Sequence, residues 1–391
     1  MNTRERFLAS MNFERVDRPL LWEFGYWSET ITNWYSEGMP GASPPRGPHD
    51  IQGYQYETTV VGEVQPWPMR DCLKDREVNE FFDLDTGAAR VDVNEWIYPE
   101  FEVEVLEENE TTQVIIDSWG VKKKISKKGN TLPKPMDWPI KNRKDFEKFK
   151  EERLDPNNDG RFPDNWEEVA KGYSDHSYPL SIGGYPVGFF GALRWLIGDE
   201  NLLKDYYRNP EFIKDILQYL TDMWIQIWSE VLDKVEVDFA LFWEDMAYKK
   251  GSFISPNMFR EFLTPYYNKI HDFLKGHGVN VSIVDTDGDI WELIPLFQEA
   301  GVTGIYPFEV QAGMNICEVR EKFPDLQIIG GLNKEKIAEG KDAIDEELEK
   351  ATELCKKSGF IACADHNIPP HVSWDNFKYY RNRLNDIVAG Q

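Results

Sequence analysis

The sequence predicts a (β/α)8 barrel of the TIM type with a large elaboration near its N-terminus, and three observations support this. The length of 391 residues accommodates one barrel of roughly 250 residues together with an insertion. From about residue 178 onward, short apolar runs alternate with amphipathic helical patterns, which is typical of parallel βα units. Between about residues 35 and 175, clusters of Pro, Gly, Asp and Asn interrupt the apolar runs and indicate the elaboration.

The predicted elements follow in three segments. Residues 1–34 contain a helix and the first barrel strand, over 18–24. Residues 35–177 form the elaboration, in which alternating apolar and polar residues between polar turns predict a β-meander over 101–125. Residues 178–391 complete the barrel with strands 178–182, 237–243, 279–284, 303–306, 326–330 and 359–363 and helices 209–232, 256–276, 289–300, 315–322, 342–358 and 373–388.

The charge of the chain limits its partners. There are 69 acidic and 44 basic residues, which gives a formal net charge of −25. Such a field repels a polyanion, so we do not expect nucleic-acid binding. Neither a signal peptide nor a run of 18 uncharged apolar residues is present, so we expect a cytoplasmic protein without a membrane partner. The oligomeric state stays open, with a homodimer as one option.

Active sites of such barrels lie at the carboxyl ends of the strands, so polar residues that directly follow the apolar runs are the candidates. Any one of them could instead be an ordinary helix N-cap, and only their convergence on one mouth favours a site. The candidates with this position are Glu23, Tyr185, Glu244, Asp245, Asp285, Asp287, Glu309, Asn333 and His366.

Two of these residues predict a metal site. Asp285 and Asp287 are two positions apart in an extended segment, so their carboxylates point to the same side. Together with His366 they offer hard oxygen ligands and an imidazole, a set that suits Zn²⁺ with one position open. It is equally open that these residues form a solvated acidic rim that binds no metal.

Aromatic residues cluster around the same predicted mouth. Trp22 and Trp27 belong to or follow the first strand, Tyr185 the second and Trp243 the third. Packing beneath loops explains any single one of them, but the clustering predicts a pocket for a planar apolar ligand.

Several motifs resemble the uroporphyrinogen decarboxylase superfamily. Thr3-Arg4-Glu5-Arg6 followed by Asp17-Arg18-Pro19 resembles its opening, and further landmarks follow in the same order over residues 1–30 and 178–388. These landmarks are Glu244-Asp245, residues 251–256, residues 285–288, residues 307–309, residues 330–333 and Asn376. The elaboration is covered poorly. The resemblance implies a barrel with one of two activities: cofactor-free decarboxylation of uroporphyrinogen, or zinc-assisted methyl transfer to a corrinoid or thiol acceptor.

The segment after the first strand favours the methyltransferase branch. The decarboxylases that this chain resembles carry an Arg-rich segment there to hold eight carboxylates, whereas this sequence reads Trp-Glu-Phe-Gly-Tyr-Trp over 22–27. Scattered lysines do not replace bidentate arginine pairs. In the methyltransferase branch, the positions of the metal-binding His-x-Cys turn and a later Cys correspond here to Asp285, Asp287 and His366. Carboxylates and an imidazole in place of thiolates keep a metal a stronger Lewis acid, which favours a substrate that binds through oxygen.

The resemblance therefore implies demethylation of a methoxylated aromatic compound with zinc as the expected metal. The ring would stack among Trp22, Trp27, Tyr185 and Trp243, and we also assign Glu23 and Asn333 to substrate binding. A proton for the leaving oxygen would come from Glu244, Asp245 or Glu309. The methyl group would pass to cob(I)alamin (cobalamin), and because the chain lacks an Asp-x-His-x-x-Gly motif, we expect a separate corrinoid protein to carry it.

Two alternatives stay open. One is a cofactor-free decarboxylase or lyase of a smaller acid, for which Arg194 is a candidate carboxylate clamp. The other is a non-catalytic carrier of a tetrapyrrole or corrinoid. Many polar groups at one end of a barrel destabilise it when they are unpaired, and their retention argues against the carrier.

Overall fold

The computed structural model describes residues 1–41, 76–127 and 133–390. At its centre seven parallel strands lie in the order β1-β6-β7-β10-β11-β12-β13, with helices between them. The strands are β1 (Ala89–Arg90), β2 (Glu104–Glu108), β3 (Thr112–Ile116), β4 (Lys122–Ser126), β5 (Lys134–Asp137), β6 (Leu180–Gly183), β7 (Phe239–Trp243), β8 (Ala247–Tyr248), β9 (Gly251–Ser252), β10 (Val281–Asp285), β11 (Gly304–Tyr306), β12 (Gln327–Ile329) and β13 (Phe360–Ile361).

The helices alternate with these strands along the chain, as the sequence predicts. They are α1 (Thr3–Met11), α2 (Ser28–Ser36), α3 (Arg76–Phe81), α4 (Arg143–Arg153), α5 (Trp166–Gly172), α6 (Phe189–Ile197), α7 (Asp199–Arg208), α8 (Pro210–Leu232), α9 (Pro256–Phe262), α10 (Thr264–Gly276), α11 (Ile294–Glu299), α12 (Ile316–Lys322), α13 (Lys334–Glu339), α14 (Lys341–Leu354) and α15 (Trp374–Val388). In the described part of the chain, none of the helices is long and apolar enough to cross a membrane.

An extended segment, residues 20–27, occupies the eighth position of the barrel. On one side the N–H of Asp85, just before β1, donates to the carbonyl of Leu21 at 3.0 Å. On the other side the N–H of Ile368, after β13, donates to the carbonyl of Gly25 at 2.9 Å. The segment therefore joins the two edges of the sheet, which confirms the predicted TIM-type barrel. Its only β-bridge among the described residues is that of Tyr26 with Ile368, so it is less regular than the predicted strand.

Apolar side chains fill the barrel interior. Trp22, Phe239 and Ile283 are buried there, and Phe7 from α1 packs on Trp22 and Phe239 with ring centroids 5.8 and 5.0 Å apart. Because Phe239 begins β7, α1 covers the amino ends of the strands. The opposite end, where the strands finish, is left for polar side chains.

The elaboration contains the predicted meander and one element that the sequence analysis did not predict. Strands β2, β3, β4 and β5 form an antiparallel sheet in chain order, which extends the predicted meander by β5. The same range also supplies β1, which pairs in parallel with β6 in the barrel. The sequence around β1 is interrupted by Gly87, Arg90 and Asp92, whereas the equally short β13 lies in the continuous apolar run 359–363. Residues 42–75 and 128–132 of the elaboration lie outside the described residues.

One predicted helix is two helices. The range 256–276 divides at Leu263, which ends α9 and precedes α10. Pro265 lies in the first turn of α10, where a proline lacks the N–H that a continuous helix would need and restricts the residue before it.

Candidate metal and substrate site

Three of the predicted site residues meet at the carboxyl ends of β10, β11 and β13. Ligand atoms of Asp287, Glu309 and His366 all lie within 4.8 Å of one another. Oδ2 of Asp287 is 3.8 Å from Nε2 of His366. The mouth of the barrel therefore holds two carboxylates and an imidazole, and we call these three residues the mouth cluster.

A glycine turn aligns the two carboxylates of the mouth cluster. Gly288 follows Asp287 with a φ of +90°, and a Cβ at this position would lie 2.8 Å from the carbonyl carbon of Ala247. Only glycine fits both constraints. The N–H of Gly288 donates to Oε2 of Glu309 at 2.9 Å, so the turn after β10 fixes the acid that follows β11.

His366 is held by stacking and by its own backbone. Its ring stacks on Phe24 with centroids 4.9 Å apart at 29°. The N–H of Asn367 donates to Nδ1 at 2.8 Å, so a neutral ring carries its proton on Nε2, the nitrogen nearer to Asp287. Burial, with a smaller effect of Lys334, lowers the pKa of His366 to about 3, and the ring is neutral at pH 7.

The two carboxyl groups of the mouth cluster favour protonation or a bound cation. Burial raises the pKa of Asp287 well above its usual value, and the nearby carboxylates Asp245, Glu309 and Asp285 raise it further. Burial also raises the pKa of Glu309, with added contributions from Asp365 and Asp245. Like charges crowded into one site become more stable when a proton or a cation neutralises part of them.

Lys334 is a site residue that the sequence analysis missed. It lies at the start of α13, its side chain is 14% exposed, and its Nζ is 3.4 Å from Oδ1 of Asp365. Its positive charge lowers the pKa of both Asp287 and Glu309. Asp365 itself is buried and accepts hydrogen bonds from the N–H groups of Val310 and Lys334. The sequence contains one indication of this role: Lys334 directly follows Asn333, one of the polar residues that come after β12.

Asp285 does not belong to the mouth cluster in the structure. It is the last residue of β10, and its Oδ2 accepts a hydrogen bond from the hydroxyl of Tyr306 at 3.1 Å. The predicted ligand pair of Asp285 and Asp287 is thus replaced by Asp287 and Glu309 as the carboxylates nearest His366. The strand ends at Asp285, so the alternation that predicted a shared side does not continue to Asp287.

Glu244 serves the fold in this structure. It is fully buried, and its carboxylate accepts hydrogen bonds from the N–H groups of Phe189, Phe190 and Gly191 at 2.8, 2.6 and 2.9 Å. Tyr267 donates a further hydrogen bond from its hydroxyl. This anion therefore completes the first turn of α6, and the structure does not bring it into the mouth cluster.

Asp245 lies at the mouth but is paired. Its carboxylate is 2.6 Å from Nη1 of Arg194, and Arg194 also binds Asp199 at 2.7 Å. Asp245 has a φ of +39°, an unfavourable conformation for a residue other than glycine. Arg194, the clamp of the decarboxylase alternative, is therefore engaged by two carboxylates.

Glu23 and Trp22 lie below the mouth. Glu23 is buried, accepts hydrogen bonds from the N–H groups of Phe24 and Ala364, and forms an ion pair with Arg381 at 3.2 Å. Trp22 is buried in the barrel interior, and its indole N–H donates to the carbonyl of Thr86 at 3.1 Å. The structure brings neither residue to the mouth cluster: Trp22 packs against Phe7 in the barrel interior, and Glu23, the next residue along the segment, pairs with Arg381 of α15.

The other predicted substrate residues are engaged in local packing. Trp27 is half-buried and precedes α2, while Asn333 caps α13 by accepting a hydrogen bond from the N–H of Glu335 at 3.0 Å. Tyr185 and Trp243 pack edge to face with centroids 4.6 Å apart, so no ligand ring fits between them. Tyr185 also contacts Trp119 of the elaboration, with centroids 5.5 Å apart.

Comparisons with known proteins agree with the motifs. One similar solved structure is that of a protein from Listeria monocytogenes, provisionally described as a vitamin-B12-independent methionine synthase, at 15% identity and a TM-score of 0.34 over 58% of this chain and 70% of that one. This likeness is too weak to carry an argument. No curated protein matches the sequence. The family model of uroporphyrinogen decarboxylase (URO-D) matches residues 111–386, which includes much of the meander that the motifs had covered poorly. By this match over more than half of its length, the chain belongs to the uroporphyrinogen decarboxylase family.

Proposed function

We propose that this protein is a methyltransferase that demethylates a methoxylated aromatic compound and passes the methyl group to cob(I)alamin on a separate corrinoid protein. The observation that carries the proposal is the mouth cluster, in which two carboxylates and a neutral imidazole converge. Such a set can hold a metal and leave a position open for an oxygen of the substrate.

The spacing of the mouth cluster fits zinc after small movements. Two ligand atoms at about 2.1 Å from one ion lie at most about 4.2 Å apart. The 3.8 Å between Asp287 and His366 is within this limit, and any longer separation in the cluster, up to 4.8 Å, would require an inward movement of the side chains. Asp287, Glu309 and Nε2 of His366 would be the ligands. The imidazole proton would then reside on Nδ1, so metal binding would cost the hydrogen bond from Asn367. When bound, zinc would act as a Lewis acid on the ether oxygen.

The residues around the mouth cluster supply the remaining chemistry. In the proposed reaction the bond between methyl carbon and oxygen breaks, both electrons stay on oxygen, and the methyl group is transferred to the electron pair of cob(I)alamin. The phenolate then takes up one proton, which comes from water because Asp287 and Glu309 would serve as metal ligands. Lys334 favours the negative charge that develops on the oxygen.

The charges at the mouth disfavour uroporphyrinogen as a substrate. Its eight carboxylates would require several available cations. Of the basic residues described near the mouth, Arg194 already binds Asp245 and Asp199, and Lys334 lies beside Asp365. Arg90 is paired with Glu95 at 3.2 Å.

A decarboxylase of a smaller acid is the second candidate. Arg90 lines a cavity beside the mouth, and although Glu95 pairs with it, its Nε atom has no hydrogen-bond partner among the described residues, so this arginine could hold one carboxylate. This candidate needs neither metal nor corrinoid, so a single assay separates the two.

The test is an incubation of zinc-loaded protein with cob(I)alamin and a panel of methoxylated aromatics. We expect methylcobalamin and the matching phenol in equal amounts, because each turnover moves one methyl group. The variant His366→Ala should abolish the reaction, whereas His371→Ala, which changes an exposed histidine paired with Glu335, should retain it. Release of carbon dioxide from an aromatic acid without methylcobalamin would overturn the proposal and favour the decarboxylase.

A further inference from the structure

A separate cavity of about 330 Å³ lies beside the barrel mouth, next to the carboxyl ends of β1 and β6. Apart from Tyr185 and Pro186, its walls come from residues 90–100, Trp119 and residues 160–163 of the elaboration. Its volume is at the small end of ligand pockets in proteins. The cavity therefore suits a ligand of about one aromatic ring rather than a tetrapyrrole.

Three aromatic side chains give the cavity its shape. Trp96 and Trp119 meet nearly edge to face, with centroids 6.0 Å apart at 72°. Trp119 and Tyr185 are tilted by 37° with centroids 5.5 Å apart. All three are among the lining residues, so a planar ring entering the cavity meets aromatic faces and edges.

Two arginines are among the lining residues of the cavity. Arg161 is 1% exposed and donates only to backbone carbonyls among the described residues, including those of Asn94 and Trp96 at 3.0 and 2.6 Å. Its charge thus lacks a carboxylate ion pair in the described part of the chain. Arg90 is paired with Glu95, yet its Nε atom has no hydrogen-bond partner among the described residues. The acids that also line the cavity are Asp92 and Glu100, and Glu100 is exposed.

We propose that this cavity binds a planar, single-ring aromatic compound that carries oxygen acceptors such as methoxy or carboxylate groups. The ring packs against Trp119 and Tyr185, and the oxygens lie towards the Arg90 side. This assigns ligand recognition to the elaboration. Because Tyr185 packs directly on Trp243, which ends β7 beside Asp245, the cavity adjoins the mouth through two side chains.

Binding at this cavity requires neither a metal nor a corrinoid, so it can be tested apart from methyl transfer. Metal-free protein is titrated with 3,4-dimethoxybenzoate in a calorimeter, and with cyclohexanecarboxylate as a charged ligand that lacks an aromatic ring. We expect saturable binding of the aromatic acid and about three- to tenfold weaker binding of the saturated one, the scale of one favourable aromatic contact.

Three variants locate the ligand. Pro163→Trp, at the half-buried edge of the cavity, should fill it and weaken binding at least about tenfold. Trp119→Phe keeps an aromatic side chain but reduces the contact area, and should weaken binding by a few fold. Trp138→Phe changes a tryptophan of the elaboration that does not line the cavity and should leave the affinity unchanged.

The absence of saturable binding at millimolar ligand would overturn the proposal. So would equal affinity of the wild type and both cavity variants, with thermal unfolding used to verify that each variant is folded. Binding by metal-free protein without methyl transfer in the complete assay would support this cavity and contradict only the methyltransferase function.

Discussion

The acidic residues at the carboxyl end of the barrel fall into two groups that differ in their hydrogen-bond donors. Glu244 is fully buried and accepts three backbone hydrogen bonds and one from a tyrosine hydroxyl. Glu309 and Asp287 are half-buried and crowd against other carboxylates, and Glu309 accepts from the N–H of Gly288. All three follow barrel strands. A position after a barrel strand therefore does not decide the role of a carboxylate. The number of hydrogen-bond donors around it decides whether it stabilises the fold or can bind a ligand.

The largest effect expected from this comparison is on stability. Glu244→Ala should lower the free energy of unfolding by about 3–5 kcal/mol, because it leaves several buried donors without their anionic acceptor. Glu309→Ala should change it by less than about 1 kcal/mol, since it also relieves repulsion in the mouth cluster. Urea-induced unfolding of both variants measures the difference. Equal losses would contradict the division into two groups.

A smaller effect is expected on metal affinity. His366→Ala should weaken zinc binding by about a hundredfold or more, because it removes the imidazole ligand of the mouth cluster. Glu244→Gln, which changes a carboxylate of the structural group, should bind zinc as the wild type does. Competition with a chromophoric chelator gives both constants. Tight stoichiometric zinc in His366→Ala would show that the ion lies elsewhere.

The smallest effect concerns pH. The pKa of Asp287 is raised in the folded protein, so its contribution to stability is lost as pH rises from its unfolded value of about 4 through the raised pKa. The lowered pKa of His366 acts oppositely, and its contribution is lost as pH falls from 6.5 towards about 3.

Between pH 7 and 8 the imidazole of His366 is largely neutral in both the folded and the unfolded state, so the mouth cluster contributes to the pH dependence of stability only through its carboxyls. Asp287→Asn should stabilise metal-free protein in this window by up to about 1 kcal/mol, a value reduced by screening because the side chain is 37% exposed. Thermal unfolding from pH 5 to 8 measures the effect, and Asp375→Asn, at an exposed ion pair on α15, serves as the control. If the wild type and Asp287→Asn show the same slope of stability against pH over the whole range from 5 to 8, the carboxyl is not perturbed.

The sequence predicted the barrel because seven of its strands and most of its helices keep clear periodicities over several residues. It placed Asp287 and His366 together as metal ligands, and Glu309 at the same mouth as a proton donor, because the parallel topology brings strand ends together. It did not predict that Glu309 rather than Asp285 would join them. It did not predict the depth of a side chain in the barrel: Trp22 belongs to the first extended segment as predicted, but its ring packs against Phe7 near the end of the barrel opposite to the mouth.

Other features left no readable pattern. The two-residue strand β1 lies in a stretch interrupted by Gly87, Arg90 and Asp92, and Lys334 is one lysine among many until the fold places it beside Asp365. Whether a carboxylate such as Glu244 binds a helix terminus or faces a cavity depends on contacts between residues more than fifty positions apart.

The pairing of residues 20–27 with the end of β13 has a consequence for how the chain reaches its native state. Glu23 needs Ala364 and Arg381 as partners, and Arg381 also donates to the carbonyl of Trp22 at 2.8 Å. During synthesis, residues 20–27 leave the ribosome long before these partners, which are translated more than 340 residues later. Until the segment after β13 is made, the apolar side chains of residues 20–27 lack their native contacts on that side. The incomplete barrel is then an open, curved sheet with exposed apolar surface, which chaperones can recognise. Closure is a late event of translation rather than an early one.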